Sequence, residues 1–242
     1  MRVEAARPGP HASARTEPIS AYRRPVIPSL QTGAAPETHL FTAIEPSILY
    51  FGTPVVLITT TNPDGAPNLA PISSAWALGH TLVLGLGSDG QTVANLRERP
   101  ELVVNVPSPG MWEQVERLAP LTGRSPVPAS KPHGMRFEAD KFAAAGVTSM
   151  PSATVAPPRV AECPLQLEGS AISITPGQAG GFVIVEVAVS MVHAATDIVV
   201  PGTNHIDPAT WSPLIYNFRH YFGLSDQLGH SYRSDTPTTT RK

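Results

Sequence analysis

Residues 55–78 read VVLITTTNPDGAPNLAPISSAWAL, and this stretch decides what kind of fold the chain can adopt. Pro54–Thr61 is short and rich in β-branched residues, the make-up of a buried strand. Asn62-Pro63-Asp64-Gly65 carries turn chemistry: proline presets φ, aspartate accepts a local hydrogen bond and glycine tolerates positive φ. A second strand is expected over Asn68–Leu78 and, after a Gly79-His80 turn, a third over Thr81–Gly87. Connections this short join antiparallel neighbours, so the three strands are expected to form an antiparallel meander.

The second strand is the unusual one. Asn68-Leu69-Ala70-Pro71-Ile72-Ser73-Ser74-Ala75-Trp76 puts amide and hydroxyl groups where a plain core strand would carry valine. The small residues Ala70, Ser73 and Ala75 would let a flat ligand approach the backbone closely. The same pattern also suits a solvent-facing edge strand with a bulge at Pro71. Trp76, at its end, is better placed for a ligand than Trp112, which lies on an apolar helical stripe.

Downstream, a helix is expected over Gln91–Arg99, with Val93 and Leu96 inward and Pro100 as its stop. A strand follows at Glu101–Val106. Ser108-Pro109 starts a second helix, serine as N-cap and proline at the first helical position, with a stripe of Met111, Trp112, Val115, Leu118 and Ala119. Gly123–Pro132 is a proline-broken loop, Asp140–Ala145 a short helix, and Pro164–Ile174 and Phe182–His193 are long β runs. Many strands with few short helices argue for a mainly β fold, a β-barrel with short helical insertions.

Composition narrows the function classes. The 242 residues carry 17 Lys and Arg against 19 Asp and Glu, a balance that excludes the basic footprint of a nucleic-acid binder. The 27 prolines are about twice the usual share of roughly 5%, which argues against long helices. A single cysteine, Cys163, allows no intrachain disulfide and no multi-cysteine metal site, and beside Pro164 it reads as an inert core residue. No stretch reaches the roughly 18–20 apolar residues of a membrane span, and residues 1–25 contain no secretory apolar core, so a cytoplasmic chain is expected. Residues 1–40, with six prolines and little periodicity, read as a disordered or partner-wrapping arm. Glu4, Glu17 and the prolines argue against a transit peptide. The ordered domain is expected over 41–233, and 234–242 as a flexible tail.

Gly85-Leu86-Gly87-Ser88-Asp89-Gly90 matches the G-x-G-x-x-G dinucleotide fingerprint on paper. The following helix is short for a crossover, the next strand ends in Val106-Pro107-Ser108 rather than an acidic residue, and the preceding strands form a meander instead of opening a βαβ unit. The Rossmann reading is therefore rejected. A small-residue loop running into a helix still suits a phosphate, with Ser88, Gln91 and Thr92 as side-chain donors. The plainer alternative is a tight turn with Ser88 or Asp89 capping the helix. Of the eight histidines, those at 193, 205, 220 and 230 are too widely spaced for a zinc motif, so no metal site is expected.

Val55–Leu78 closely resembles the opening of the flavin reductase-like proteins, which have the FMN-binding split-barrel fold. The likeness continues through Thr92–Leu96, Val103–Ser108, Asp140-Lys141-Phe142 with Ala145-Gly146, Val160–Glu168 and Pro213–Gly223, in order over most of 41–233. The resemblance implies a homodimer holding FMN near the subunit interface. Asn68, Ala70, Pro71, Ser73 and Ser74 match its flavin-lining motif, and the Gly87–Thr92 loop, with Ser88, Gln91 and Thr92, its phosphate side. Many relatives carry a lysine or arginine just before the threonine; here Gly90-Gln91 stands there, leaving the phosphate to N–H groups or to an arginine such as Arg219. His220 is the candidate for contact with nicotinamide or flavin, equally readable as a packed polar histidine.

The implied activity is an FMN-binding oxidoreductase, an NAD(P)H-dependent flavin reductase that supplies reduced FMN to a monooxygenase by hydride transfer to flavin N5. A flavin performs the hydride chemistry itself, which accounts for the lack of a nucleophile–base pair in the sequence. One alternative is an FMN enzyme acting directly on an organic substrate, with Thr122–Pro132 shaping its pocket; another is a flavin- or haem-binding module without catalysis.

Overall fold

A computed structural model describes residues 41–229, 231–234 and 236. The expected arm over 1–40 and most of the tail over 234–242 lie outside the described residues. By its contacts the chain divides into Met1–Glu45 and Pro46–Lys242, and the second unit contains every element below.

Strands β1 (Phe51–Pro54) and β2 (Val56–Thr61) lead into β3 (Pro67–Ile72), β4 (Ala75–Leu78) and β5 (Thr81–Gly87). Helix α1 (Gln91–Glu98) and β6 (Glu101–Val106) follow, then a 3-10 turn at Pro109–Met111 running into α2 (Trp112–Leu118). Short pieces β7 (Leu121–Thr122), β8 (Arg136–Phe137), α3 (Lys141–Ala145), β9 (Ser149–Met150) and β10 (Arg159–Val160) precede the long hairpin of β11 (Leu165–Pro176) and β12 (Phe182–Ala194). The small hairpin of β13 (Ile215–Asn217) and β14 (His220–Phe222) closes the chain and pairs with β1.

The central sheet has seven strands in the order β3-β2-β6-β11-β12-β5-β4, every pair antiparallel. The expected turn at residues 62–65 forms, with Gly65 N–H bonded to the Asn62 carbonyl at 2.9 Å and φ at +85°. The meander does not. The second strand breaks at Ser73-Ser74, and its halves, β3 and β4, lie at opposite edges of the sheet. A curled sheet needs one segment that leaves one edge and joins the other, and these two small residues make that corner. Gly85 N–H bonds the Ser74 carbonyl at 2.8 Å, and a Cβ on Gly85 would lie 3.0 Å from the Ser74 Cβ, so glycine lets the corner close.

The inner face of the curled sheet is filled throughout, and its outer face is covered at β2 and β3 but exposed at β4 and β12. Inside, Val56 and Ile58 of β2 meet Leu84, Leu86, Val104, Val183 and Val185, with Val93 and Leu96 of α1 filling the barrel. Outside, Val55, Leu57 and Leu69 pack against Val115 and Leu118 of α2, Phe142 and Ala145 of α3, and Val160. Helix α1 touches β2, β3 and β5, and so bridges the split in the barrel. Two caps differ from expectation: α1 starts at Gly90 with no side-chain cap, and Ser108 makes none either, because a 3-10 turn intervenes before α2. Asp140 does cap α3, accepting Ala143 N–H at 3.0 Å.

Outside the barrel, Glu168 of β11 is fully buried and fastens the segment before β10. Its carboxylate accepts Ala153 N–H at 2.8 Å, Thr154 N–H at 2.6 Å and the Thr154 hydroxyl at 2.7 Å, with His193 Nε2 at 2.7 Å. Burial alone would raise its pKa; the hydroxyl, amide and imidazole partners outweigh that and hold it at about 2. A carboxylate depressed in this way stabilises the fold above its ordinary value of 4.5, and that contribution is lost as pH falls toward 2. Glu168→Gln is expected to lower unfolding free energy by about 2 kcal/mol at pH 7 and to flatten its acid dependence below about pH 4.5, as read from urea midpoints.

Candidate functional site

Asn68, which the sequence suggests as a ligand-facing amide, is 3% exposed and turned into a buried polar knot. Its Nδ2 donates to the hydroxyls of Thr60 and Thr92, each at 3.2 Å, and its Oδ1 accepts from Lys141 Nζ at 3.1 Å. Asn95 Nδ2 donates to Thr60 Oγ1 and to Asn62 Oδ1, both at 2.9 Å, and Gln91 Nε2 donates to Asn95 Oδ1 at 2.8 Å. The knot ties β2, β3, α1 and α3 together under the floor of a cleft.

That cleft is lined by Asn68, Ala70 and Pro71 of β3, by Gly87, Gly90, Gln91 and Thr92 at the start of α1, and by Thr122, Gly123, Lys131 and Lys141. The first N–H groups of a helix have no intrahelical partner, so this end offers donors and positive potential. Lys131 arrives from the proline-broken loop: its Nζ stands 3.8 Å from where a Cβ on Gly87 would be and 3.9 Å from one on Gly90. Lys141, only 4% exposed, also donates to the Leu69 carbonyl at 3.0 Å. Burial, with the charge of Lys131 adding to it, lowers the Lys141 pKa from 10.5 to about 8. Two ammonium groups and a helix start facing one cavity of about 150 Å³ fit an anion such as a phosphate.

The cavity continues into a larger cleft of about 420 Å³, the two sharing Pro71, Ile72, Gly87 and Ala119. Its small-residue wall is Ser73, Ser74, Gly85 and Gly87, and opposite stand Tyr50, Tyr216 and Tyr221 with Glu116. Tyr216 packs between the other two tyrosines, with ring centroids 5.7 Å from Tyr50 and 5.4 Å from Tyr221. Tyr50 Oη and Ser74 Oγ are 3.1 Å apart, and Tyr221 donates to Glu116 Oε2 at 2.9 Å. Burial, and for Tyr221 also the Glu116 bond, push the phenol pKa values up, so both stay protonated donors. The Ala70, Ser73 and glycine surfaces leave room for a planar ring, and the chemistry of both ends together fits FMN.

Most of the residues expected from the sequence come together here: Asn68, Ala70, Pro71, Ser73, Ser74, Gly87, Gln91 and Thr92 all line one cleft or the other. Ser88 does not; its N–H is spent on the Gly181 carbonyl at 3.1 Å. Arg219 and His220 do not line either cleft. Phe218 and Arg219 form the two-residue turn between β13 and β14 with φ of 43° and 70°, and both Arg219 and His220 are exposed. Trp76 likewise stands on the outer sheet face, exposed. The sequence reading missed Lys131, Lys141, Glu116 and the three tyrosines. A signal existed for Lys141, which shares a buried helix face with Ala145 four residues on. Lys131 lies in an aperiodic loop and gave none.

The model of the flavin reductase like domain matches residues 48–225. Uncharacterized protein YdfE of Bacillus subtilis (strain 168) is 44% identical over 202 residues, covering 83% of this chain and 97% of that protein. Among solved structures, flavoredoxin of Desulfovibrio vulgaris (Miyazaki F) is similar with a TM-score of 0.67 at 18% identity, covering 81% of this chain and 99% of that one. Nitrilotriacetate monooxygenase component B from Bacillus cereus is similar at a TM-score of 0.63 and 16% identity, over 80% and 100% of the two chains. The architecture is thus a split barrel of the flavin reductase type. The chain belongs to the flavin reductase-like family and is a flavin-related oxidoreductase.

Gly123 tests the tightness of the knot, since a Cβ there would lie 2.7 Å from Asn68 Oδ1 and 3.1 Å from Gln91 Cβ. Gly123→Ala is expected to destabilise the protein by about 1–3 kcal/mol in chemical denaturation; an unchanged midpoint would mean the cleft floor is slack.

Proposed function

We propose that the chain binds FMN in this cleft and acts as an NAD(P)H-dependent flavin reductase that hands reduced FMN to a monooxygenase. The observation that carries the reading is the pairing of Lys131 and Lys141 at the start of α1 with a small-residue wall in the adjoining cleft. In this reading Lys131 supplies the cation that many relatives carry just before the threonine. Bound FMN supplies the hydride acceptor and donor; the protein binds, orients and tunes it. Lys131, Lys141 and the α1 N–H groups hold the phosphate, while Ser73, Ser74 and the backbone of β3 hold the ring edge. The similarity to a monooxygenase component B supports the acceptor partner.

A homodimer belongs to the same proposal. Trp76 and Leu78 of β4 and Phe182 and Ile184 of β12 share the outer face of the sheet, opposite inward Leu84, Val183 and Val185. Gly85 and Gly87, which line the cleft, stand on that same outer face, so a second copy covering it would meet the flavin. A cytoplasmic setting, where reduced nicotinamides are supplied, completes the reading.

Oxidation of NADH or NADPH by the purified protein is expected to be slow alone and stimulated several-fold by added FMN; a rate independent of added flavin would contradict the reductase reading. Lys131→Ala is expected to weaken FMN binding in equilibrium dialysis by about tenfold or more while leaving riboflavin, which lacks the phosphate, unaffected. An equal loss for both flavins would remove Lys131 from the phosphate site.

A further inference from the structure

The two halves of the groove differ sharply in charge. The smaller cavity is lined by Lys131 and Lys141, whereas among the described residues lining the larger one the single charged side chain is Glu116. Glu116 stands on α2 beside Val115 and Ala119, which also line the cleft, and its Oε2 is held by the Tyr221 hydroxyl at 2.9 Å. Tyr221 is in turn packed on Tyr216 and, at 6.3 Å between centroids, on Trp112, so its hydroxyl holds the exposed Glu116 carboxylate against the aromatic wall. Arg219 is felt electrostatically at Tyr216 but does not line the cleft.

A planar compound entering beside the tyrosines therefore meets flat apolar faces and one fixed negative charge. Aromatic walls accept a flat ring and, through their negative faces, themselves lean toward a cation, and a carboxylate on the ring would also face Glu116 with no cation among the described lining residues to offset the repulsion. We propose that Glu116 is a specificity-determining residue that makes the larger cleft selective for uncharged or cationic planar compounds over anionic ones. The selectivity rests on the flavin reading for what lies beneath the ring, but it acts through Glu116 alone. It also separates the two anion-relevant ends: the phosphate is drawn to the lysines, and the second ligand is chosen by the carboxylate.

The test compares isosteres of different charge. Binding of neutral 4-nitrobenzamide, anionic 4-nitrobenzoate and cationic 1-methylnicotinamide to the FMN-loaded full chain is measured by isothermal titration calorimetry at low salt. The wild type is expected to prefer the amide over the carboxylate by about fivefold or more, with the preference shrinking at high salt. Glu116→Gln, which keeps the volume and an acceptor for Tyr221, is expected to narrow the gap between amide and carboxylate, and Glu116→Asp to retain discrimination. Equal binding of the pair by the wild type, or undiminished discrimination in Glu116→Gln, would overturn the inference while leaving the flavin reading intact. A chain that takes up no FMN would overturn both.

Discussion

The hydrogen bonds around Asn68 are the constraint on which the site depends. Three donors and acceptors of one buried amide are matched by Thr60, Thr92 and Lys141, drawn from β2, α1 and α3. Leaving any one of them unpaired would cost about 1–3 kcal/mol, so the elements cannot shift separately. Since α1 also plugs the open side of the barrel with Val93 and Leu96, the knot couples barrel closure to the position of the helix start that faces the cleft. The floor of the site is thereby built before any ligand arrives.

Charge then divides the groove. Lys141 is held at a reduced pKa because its ammonium is buried and shares the cavity with Lys131. The phosphate of the proposed ligand would reverse both effects by supplying a counter-charge. In the proposed function anion binding and protonation of Lys141 favour each other, the anion adding to the partial offset that Asn68 Oδ1, the Leu69 carbonyl and the charge of Glu138 already give the buried ammonium. The larger cleft carries the opposite sign at Glu116 on a wall of tyrosines.

Much of the fold was legible in the sequence because it follows local rules: β-branched runs, a proline–aspartate–glycine turn, a short α3, and apolar pairs such as Val93 and Leu96. The corner at Ser73-Ser74 was not, since a strand that changes edges reads locally like one that continues. Eight of the expected site residues line the clefts, Asn68 among them, but its place in the buried knot was not read. A polar residue on a strand suggests a ligand contact when its partners are unknown, and here they lie 8, 24 and 73 residues away in the chain. Arg219 and His220 were linked to the site by their segment, whose strands do reach it through Tyr216 and Tyr221; Arg219 in the turn and His220 at the start of β14 are themselves exposed. Lys131 comes from a loop with no periodicity, so only the folded chain could bring it to Gly87 and Gly90.

A crystal structure of the protein soaked with FMN tests the central claim most directly. The account predicts the phosphate within hydrogen-bond reach of Lys131 and the first N–H groups of α1, with the ring lying along Ser73, Ser74 and Gly85. Flavin density elsewhere, or a phosphate turned away from both lysines, would contradict it.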